Sequence, residues 1–257
     1  MKRLLFVSLR GGCGATTVTA NLAQALVKIN KQVLAIDAVP ENLLRLHLGL
    51  PYEERDGWAA RVLSGDAWVE AGYQSPQGAL LLPFGELDAD QKGLFAQSYQ
   101  FLQALGRSTL QVTDAEQWQL FHGDMSYLMT PEMNAFVESM DMVFVVINAD
   151  AMNYATLQTA LRHSSKISNL VESGKLRYIL NQYQPETEIG RDFMLVFKKE
   201  LQASLVPVLM HRDTALAECA ANLTTVQHYS PTSQAAKDYQ SLAFWCVSTL
   251  AAATSQG

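Results

Sequence analysis

Leu4-Leu5-Phe6-Val7-Ser8-Leu9-Arg10-Gly11-Gly12-Cys13-Gly14-Ala15-Thr16-Thr17 decides the reading of this chain. The apolar run 4–7 suits a buried strand, and Val18, Ala20, Leu22, Ala23 and Leu26 carry a helical pattern beyond the glycines. Strand, glycine loop and helix in that order are the layout of a phosphate-binding P-loop. Gly11, Gly12 and Gly14 let the backbone turn its N–H groups toward an anion, and the N-terminus of the following helix adds partial positive charge. Thr16 stands where such a loop places the hydroxyl that ligates Mg2+. The position before it, ordinarily Lys, is Ala15. The loop is equipped to hold a nucleotide and lacks one standard part for acting on it.

Outward from this loop, short apolar or β-branched runs at 3–8, 32–37, 78–83, 142–147, 176–181 and 205–209 alternate with helical patterns. The helices are expected near 16–29, 41–47, 90–105, 131–139, 152–168, 189–203, 213–221 and 233–251. The alternation predicts an α/β fold: a single P-loop domain over 1–252, with a mostly parallel, twisted sheet and helices on both faces. A disordered tail is expected at 253–257. Right-handed crossovers gather the strand C-termini on one edge, where the glycine loop also falls. The stretch 84–130 resists this reading, because it holds no strong strand that ends in a clear carboxylate.

The 257 residues, 49% of them hydrophobic, are enough for a substantial core. A net charge of −6 argues against a non-specific nucleic-acid surface, which needs clustered Lys and Arg. Cys13, Cys219 and Cys246 are far apart and lack metal-ligand spacing, so reduced thiols in the cytosol are expected. A helix N-terminus can depress the pKa of a thiol such as Cys13, but a small filler residue is the simpler reading. Met1-Lys2-Arg3 leads into a first strand rather than a signal peptide. The uncharged stretch Tyr239–Gly257 is broken by Ser, Thr and Gln. It predicts a core-packed last helix, with no direct membrane insertion.

Further candidate site residues lie at strand ends. Asp37 closes Val33-Leu34-Ala35-Ile36, and a carboxylate there can hold Mg2+ through water. A P-loop protein needs a second carboxylate from another strand. Asp124, after Leu120-Phe121-His122-Gly123, is the candidate and Asp114 its rival; Gln119 and His122 interrupt the apolar run. Asn181 closes Tyr178-Ile179-Leu180 and can offer its amide to an adenine edge. His122 falls near the phosphates and reads as a structural histidine. No histidine pair has metal-ligand spacing, and no Ser–His–Asp order is present.

Arg10-Gly11-Gly12-Cys13-Gly14-Ala15-Thr16-Thr17 resembles the KGGxGKTT loop of the MinD/ParA ATPases, and Asp37-Ala38-Val39-Pro40 resembles their DxDP element. Val206-Pro207, Arg212-Asp213 and Ala217-Glu218-Cys219-Ala220 are similar to the stretch after their adenine-binding Asn. Pro231-Thr232-Ser233-Gln234-Ala235-Ala236-Lys237-Asp238-Tyr239 resembles their PxSxAAxxY helix start. The likeness spans nearly the whole chain. Within the family it leans toward the branch serving bacterial cellulose synthesis. That lean rests on Pro40-Glu41-Asn42-Leu43-Leu44-Arg45-Leu46, Leu81-Leu82-Pro83-Phe84-Gly85, His211-Arg212-Asp213, Ala217-Glu218-Cys219 and Trp245-Cys246.

The resemblance implies a homodimer with ATP at the interface, in the cytoplasm, recruited to the inner membrane through protein subunits of the cellulose synthase and secretion complex. By position, Arg10, Gly11, Gly12, Cys13, Gly14, Ala15, Thr16 and Thr17 would surround the phosphates and Asn181 would contact adenine. Thr16, Asp37 and Asp124 would serve Mg2+. Arg10 stands for the family's Lys that reaches the partner's phosphates, a task its charged fork can perform. Two departures bear on turnover. Ala15 forfeits a charge-assisted phosphate contact, a loss of roughly 1.5–3 kcal/mol. Val39 replaces the Asp that positions the attacking water and has no acceptor for a proton. With no catalytic residue in place, the reading is an ATP-dependent switch or scaffold. The alternatives are an ATPase using Arg10 and Glu41 as substitutes, and a nucleotide-free protein-interaction module.

Overall fold

The computed structural model describes residues 1–97, 99–112 and 116–254. Asp114 and residues 255–257 of the expected tail lie outside them. Seven strands form one sheet: β1 (Lys2–Ser8), β2 (Val33–Asp37), β3 (Tyr73–Gln74), β4 (Leu80–Leu82), β5 (Trp118–Gly123), β6 (Met142–Asn148) and β7 (Leu176–Asn181). Their order is β3-β4-β2-β5-β1-β6-β7. Every pairing is parallel except the short β3–β4 edge. The expected α/β fold is therefore the observed one.

The sheet separates two cores, and β1 feeds both through its period-two alternation. Leu4 and Phe6 join α1 (Ala15–Lys28) and the last helix, Gln234–Thr254, on one face. Leu5 and Val7 point into the other. The last helix contributes Leu242, Ala243, Cys246 and Leu250 to the first core, as its uncharged sequence suggested. No helix among the described residues is long and apolar enough to cross a membrane.

Three expectations need correction. The run 205–209 is not a strand: only Leu205 forms an isolated bridge, to Tyr178 outside the β7 edge. The expected helix 152–168 is two helices, Ala151–His163 and Ser165–Glu172, because the Ser164 hydroxyl accepts the Ile167 N–H and starts a new cap. And β5, which the sequence hid, sits beside β1 near the middle of the sheet, all six residues buried. Its polar members are paired: Gln119 accepts from Arg3 Nε at 3.0 Å and donates to the Thr109 carbonyl at 2.9 Å.

Arg3 is the hub of that pairing. It is 2% exposed, and its guanidinium donates to Gln119, to the Ser139 hydroxyl at 2.7 Å and to the Gly106 carbonyl at 2.9 Å. It also lies 5.0 Å from the Phe121 ring centre. Burial pushes its pKa down to about 10, against the opposing pull of Asp141. Arg3→Ala strands these acceptors. It is expected to cost roughly 2–4 kcal/mol in urea unfolding, whereas truncating the exposed Arg55 should cost under about 1 kcal/mol.

Candidate functional site

The glycine loop leaves β1 and enters α1 at the C-terminal edge of the sheet. Gly14 is the N-cap of α1 with φ +95°; it has no side chain to cap the helix, and no acidic residue stands in the first turn. A Cβ at Gly14 would fall 2.6 Å from Asn181 Nδ2. That contact marks a brace. Asn181 Nδ2 donates to the Cys13 carbonyl at 2.8 Å, and Gln182 Nε2 donates to the Gly12 carbonyl at 2.8 Å. Asn181 thus holds the loop with the amide group expected to face adenine. The Ala15 amide donates to the Ser8 hydroxyl at 3.1 Å.

At the other side of the loop a hydrogen-bonded chain runs through three elements. The Thr16 hydroxyl lies 3.1 Å from His122 Nε2, and His122 Nδ1 lies 2.9 Å from Asp37 Oδ1. Strand register makes this chain: Asp37 and His122 are lateral neighbours on β2 and β5. Asp37 is fully buried, and its second oxygen accepts the Leu44 N–H at 2.9 Å. The expected metal set of Thr16, Asp37 and Asp124 is not what meets here. Asp124 is exposed and its carboxylate accepts the Ser126 N–H at 2.8 Å. It lies two residues past the position that reaches Thr16, and that position is His122. Asp37 is one imidazole removed from Thr16.

A cavity of about 500 Å3 opens beside the loop, lined by Gly14, Thr17, His47, Asn181 and the segment His211–Glu218. Two carboxylates shape that segment. Asp238 Oδ2 accepts from the His211 N–H at 2.8 Å and sits 2.9 Å from its Nδ1. Asp213 accepts the N–H groups of Ala215 and Ala235, tying the loop to the start of the last helix. The PxSxAAxxY stretch therefore shapes the cavity wall through Asp238. Sequence reasoning missed His47, which is 6% exposed with Nε2 at 3.5 Å from the Thr17 hydroxyl. Burial, and secondarily the neighbouring His122, push its pKa down to about 4. Its one visible signal was position, on a short helix after the Asp37 turn.

Ala15 is buried at the first position of α1, and Val39 is 6% exposed. Arg10 is exposed at the start of the loop. Cys13 is buried, its thiol 3.1 Å from Asn153 Oδ1, and burial raises its pKa. It is a packed filler, not an activated thiol. Val39 and Glu41 share a smaller cavity of about 210 Å3 with Asp124.

A family model described as "Cellulose biosynthesis protein BcsQ" matches residues 1–247. The Cellulose biosynthesis protein BcsQ of Salmonella typhimurium is 31% identical over 249 residues, covering 93% of this chain and 91% of that protein. The fold is similar to Mycobacterium smegmatis cobyrinic acid a,c-diamide synthase with bound ATP analog and magnesium. That match has 18% identity and a TM-score of 0.72, over 95% of this chain and 92% of the other. It is also similar to a chain of the Aquifex aeolicus MinC:MinD cell division protein complex, with 19% identity and a TM-score of 0.70 over 96% of each. At these identities the structural likeness is one of fold.

Two outcomes follow from the site geometry. Gly14→Ala puts a side chain at a left-handed position and against Asn181, so unfolding in urea should show a loss of roughly 1–3 kcal/mol. His47 resists protonation when native, while the unfolded chain takes a proton near the ordinary value of about 6.5. Its stabilisation is full above that value and is lost as pH falls toward 4. Between about pH 7 and about pH 5 the loss from this group is roughly 2 kcal/mol. His47→Asn should flatten that part of the pH–stability curve.

Proposed function

The chain belongs to the BcsQ family of cellulose-biosynthesis proteins, and we propose that it serves there as an ATP-held switch or scaffold with weak or absent hydrolysis. One observation carries this reading: the phosphate cradle is built and braced, while the groups that would drive turnover are replaced. The N-cap of α1 is a glycine and its first turn carries no acidic residue, and Asn181 and Gln182 fix the loop that leads into it. Backbone N–H groups and a helix N-terminus suffice to bind phosphate. Hydrolysis needs charge stabilised in the transition state and an acceptor for the proton of water. Buried Ala15 and Val39 supply neither.

Exposed Arg10 is free to reach a second protomer's phosphates, which supports a homodimer with ATP at its interface. The MinC:MinD complex shows that this fold docks protein partners. For this chain the partners are protein subunits of the cellulose synthase and secretion machinery. They would bring a cytoplasmic protein to the inner membrane, since no described helix spans one. Nucleic acid is not a partner in this reading, given the net charge of −6.

A second reading, slow hydrolysis with Glu41 as substitute base, is favoured by the exposed Glu41 carboxylate on the small cavity that also holds Val39. Denaturing the purified protein and identifying the released nucleotide by chromatography separates these. Stoichiometric ATP, intact after prolonged storage, is the expected result. Released ADP, with phosphate release that falls on Glu41→Gln, would establish the second reading instead. No nucleotide, and none bound on addition, would leave a protein-interaction module.

A further inference from the structure

The strand-end position that reaches the P-loop hydroxyl carries an imidazole where a magnesium site needs an oxygen ligand. His122 Nε2 meets Thr16 Oγ1 at 3.1 Å, and Nδ1 on the same ring is 2.9 Å from Asp37. Asp37 has no exposed surface, and its two oxygens are taken by His122 and by the Leu44 N–H. Asp124 faces the Ser126 amide. Among the described residues no group of three or more His, Cys, Asp or Glu is arranged to hold a metal. Mg2+ is a hard ion that takes six oxygens near octahedral geometry and dehydrates reluctantly. Imidazole suits zinc, copper, iron and nickel, while carboxylate, carbonyl and water suit magnesium. The donor set present does not fit the ion that bound nucleotide accompanies in the fold's relative.

We propose that His122 fills the place from which a carboxylate would recruit Mg2+, so that this chain binds nucleotide with an affinity indifferent to magnesium. This rests on the nucleotide-binding reading above. The phosphates are held by the backbone amides at the α1 N-terminus and, across the proposed dimer, by the Arg10 cation of the other protomer, neither of which needs a metal bridge. The ring keeps Thr16 oriented, as a strand-end carboxylate would, because it is itself anchored through Nδ1 to a buried acceptor. Magnesium can still travel on the nucleotide, but the protein gains nothing by it.

The test is calorimetric titration of the purified protein with ATP, once with magnesium chloride in excess and once with EDTA in its place. The two dissociation constants should agree within about threefold. His122→Asp should open a gap of about tenfold or more in favour of magnesium. That variant places two carboxylates side by side on β2 and β5, so His122→Asn serves as the uncharged control. It removes the ring without adding a ligand charge and should remain within about threefold. Wild-type protein that binds ATP about tenfold more tightly with magnesium would overturn the proposal and leave nucleotide binding intact. Absence of binding in both conditions would overturn both.

Discussion

The buried chain from Asp37 through His122 to Thr16 is the constraint on which this site depends. It joins the C-terminal ends of β2 and β5 to the first turn of α1. A fully buried carboxylate is costly unless its oxygens are paired, and here every partner is supplied by a neighbouring element. The parallel register of β2 with β5 sets Asp37 beside His122, and the register of β5 with β1 brings the ring over the loop that follows β1. A shift of either register by one residue would turn His122 to the other face of the sheet. The position of the phosphate loop and the pairing of the central strands are therefore one problem with one solution.

On the opposite side the loop is fixed by different means. Asn181 and Gln182, at and just beyond the end of β7, hold the Cys13 and Gly12 carbonyls. The loop is clamped from β7 and from β5. Holding a phosphate draws on backbone geometry, which this clamp preserves. Breaking a phosphate bond draws on side chains, and in the proposed reading Ala15 and Val39 stand at the two positions that would have to supply them. The division between what is kept and what is lost gives the switch reading its physical content.

The sequence made some of this legible and concealed the rest for identifiable reasons. β1 and β6 are nearly continuous apolar runs, as strands buried on both faces must be, and the glycines between β1 and α1 marked the loop. β5 carries the same burial with Gln119 and His122 inside it, and their partners Arg3 and Asp37 lie more than eighty residues away in the chain. No local pattern reports such pairing. Apolar 205–209 failed as a strand because it meets the β7 edge only at intervals: the Val206 N–H donates to the Tyr178 carbonyl at 2.9 Å and the Met210 N–H to the Leu180 carbonyl at 3.0 Å, with an isolated bridge at Leu205 and no continuous ladder between them. Asp124 attracted attention as a carboxylate beyond an apolar run. The residue that meets Thr16 was the histidine two positions earlier, which residue type alone assigned to structure.

The claim that Asp37 and His122 act as one unit is tested most directly by a double-mutant cycle in urea unfolding, with Asp37→Ala, His122→Leu and the pair. The account predicts a coupling of roughly 1–3 kcal/mol, because either single change leaves a buried polar partner unsatisfied and the second removes it. Single effects that add to within about 0.5 kcal/mol would contradict it, and would mean that the two side chains are held by their strands rather than by each other.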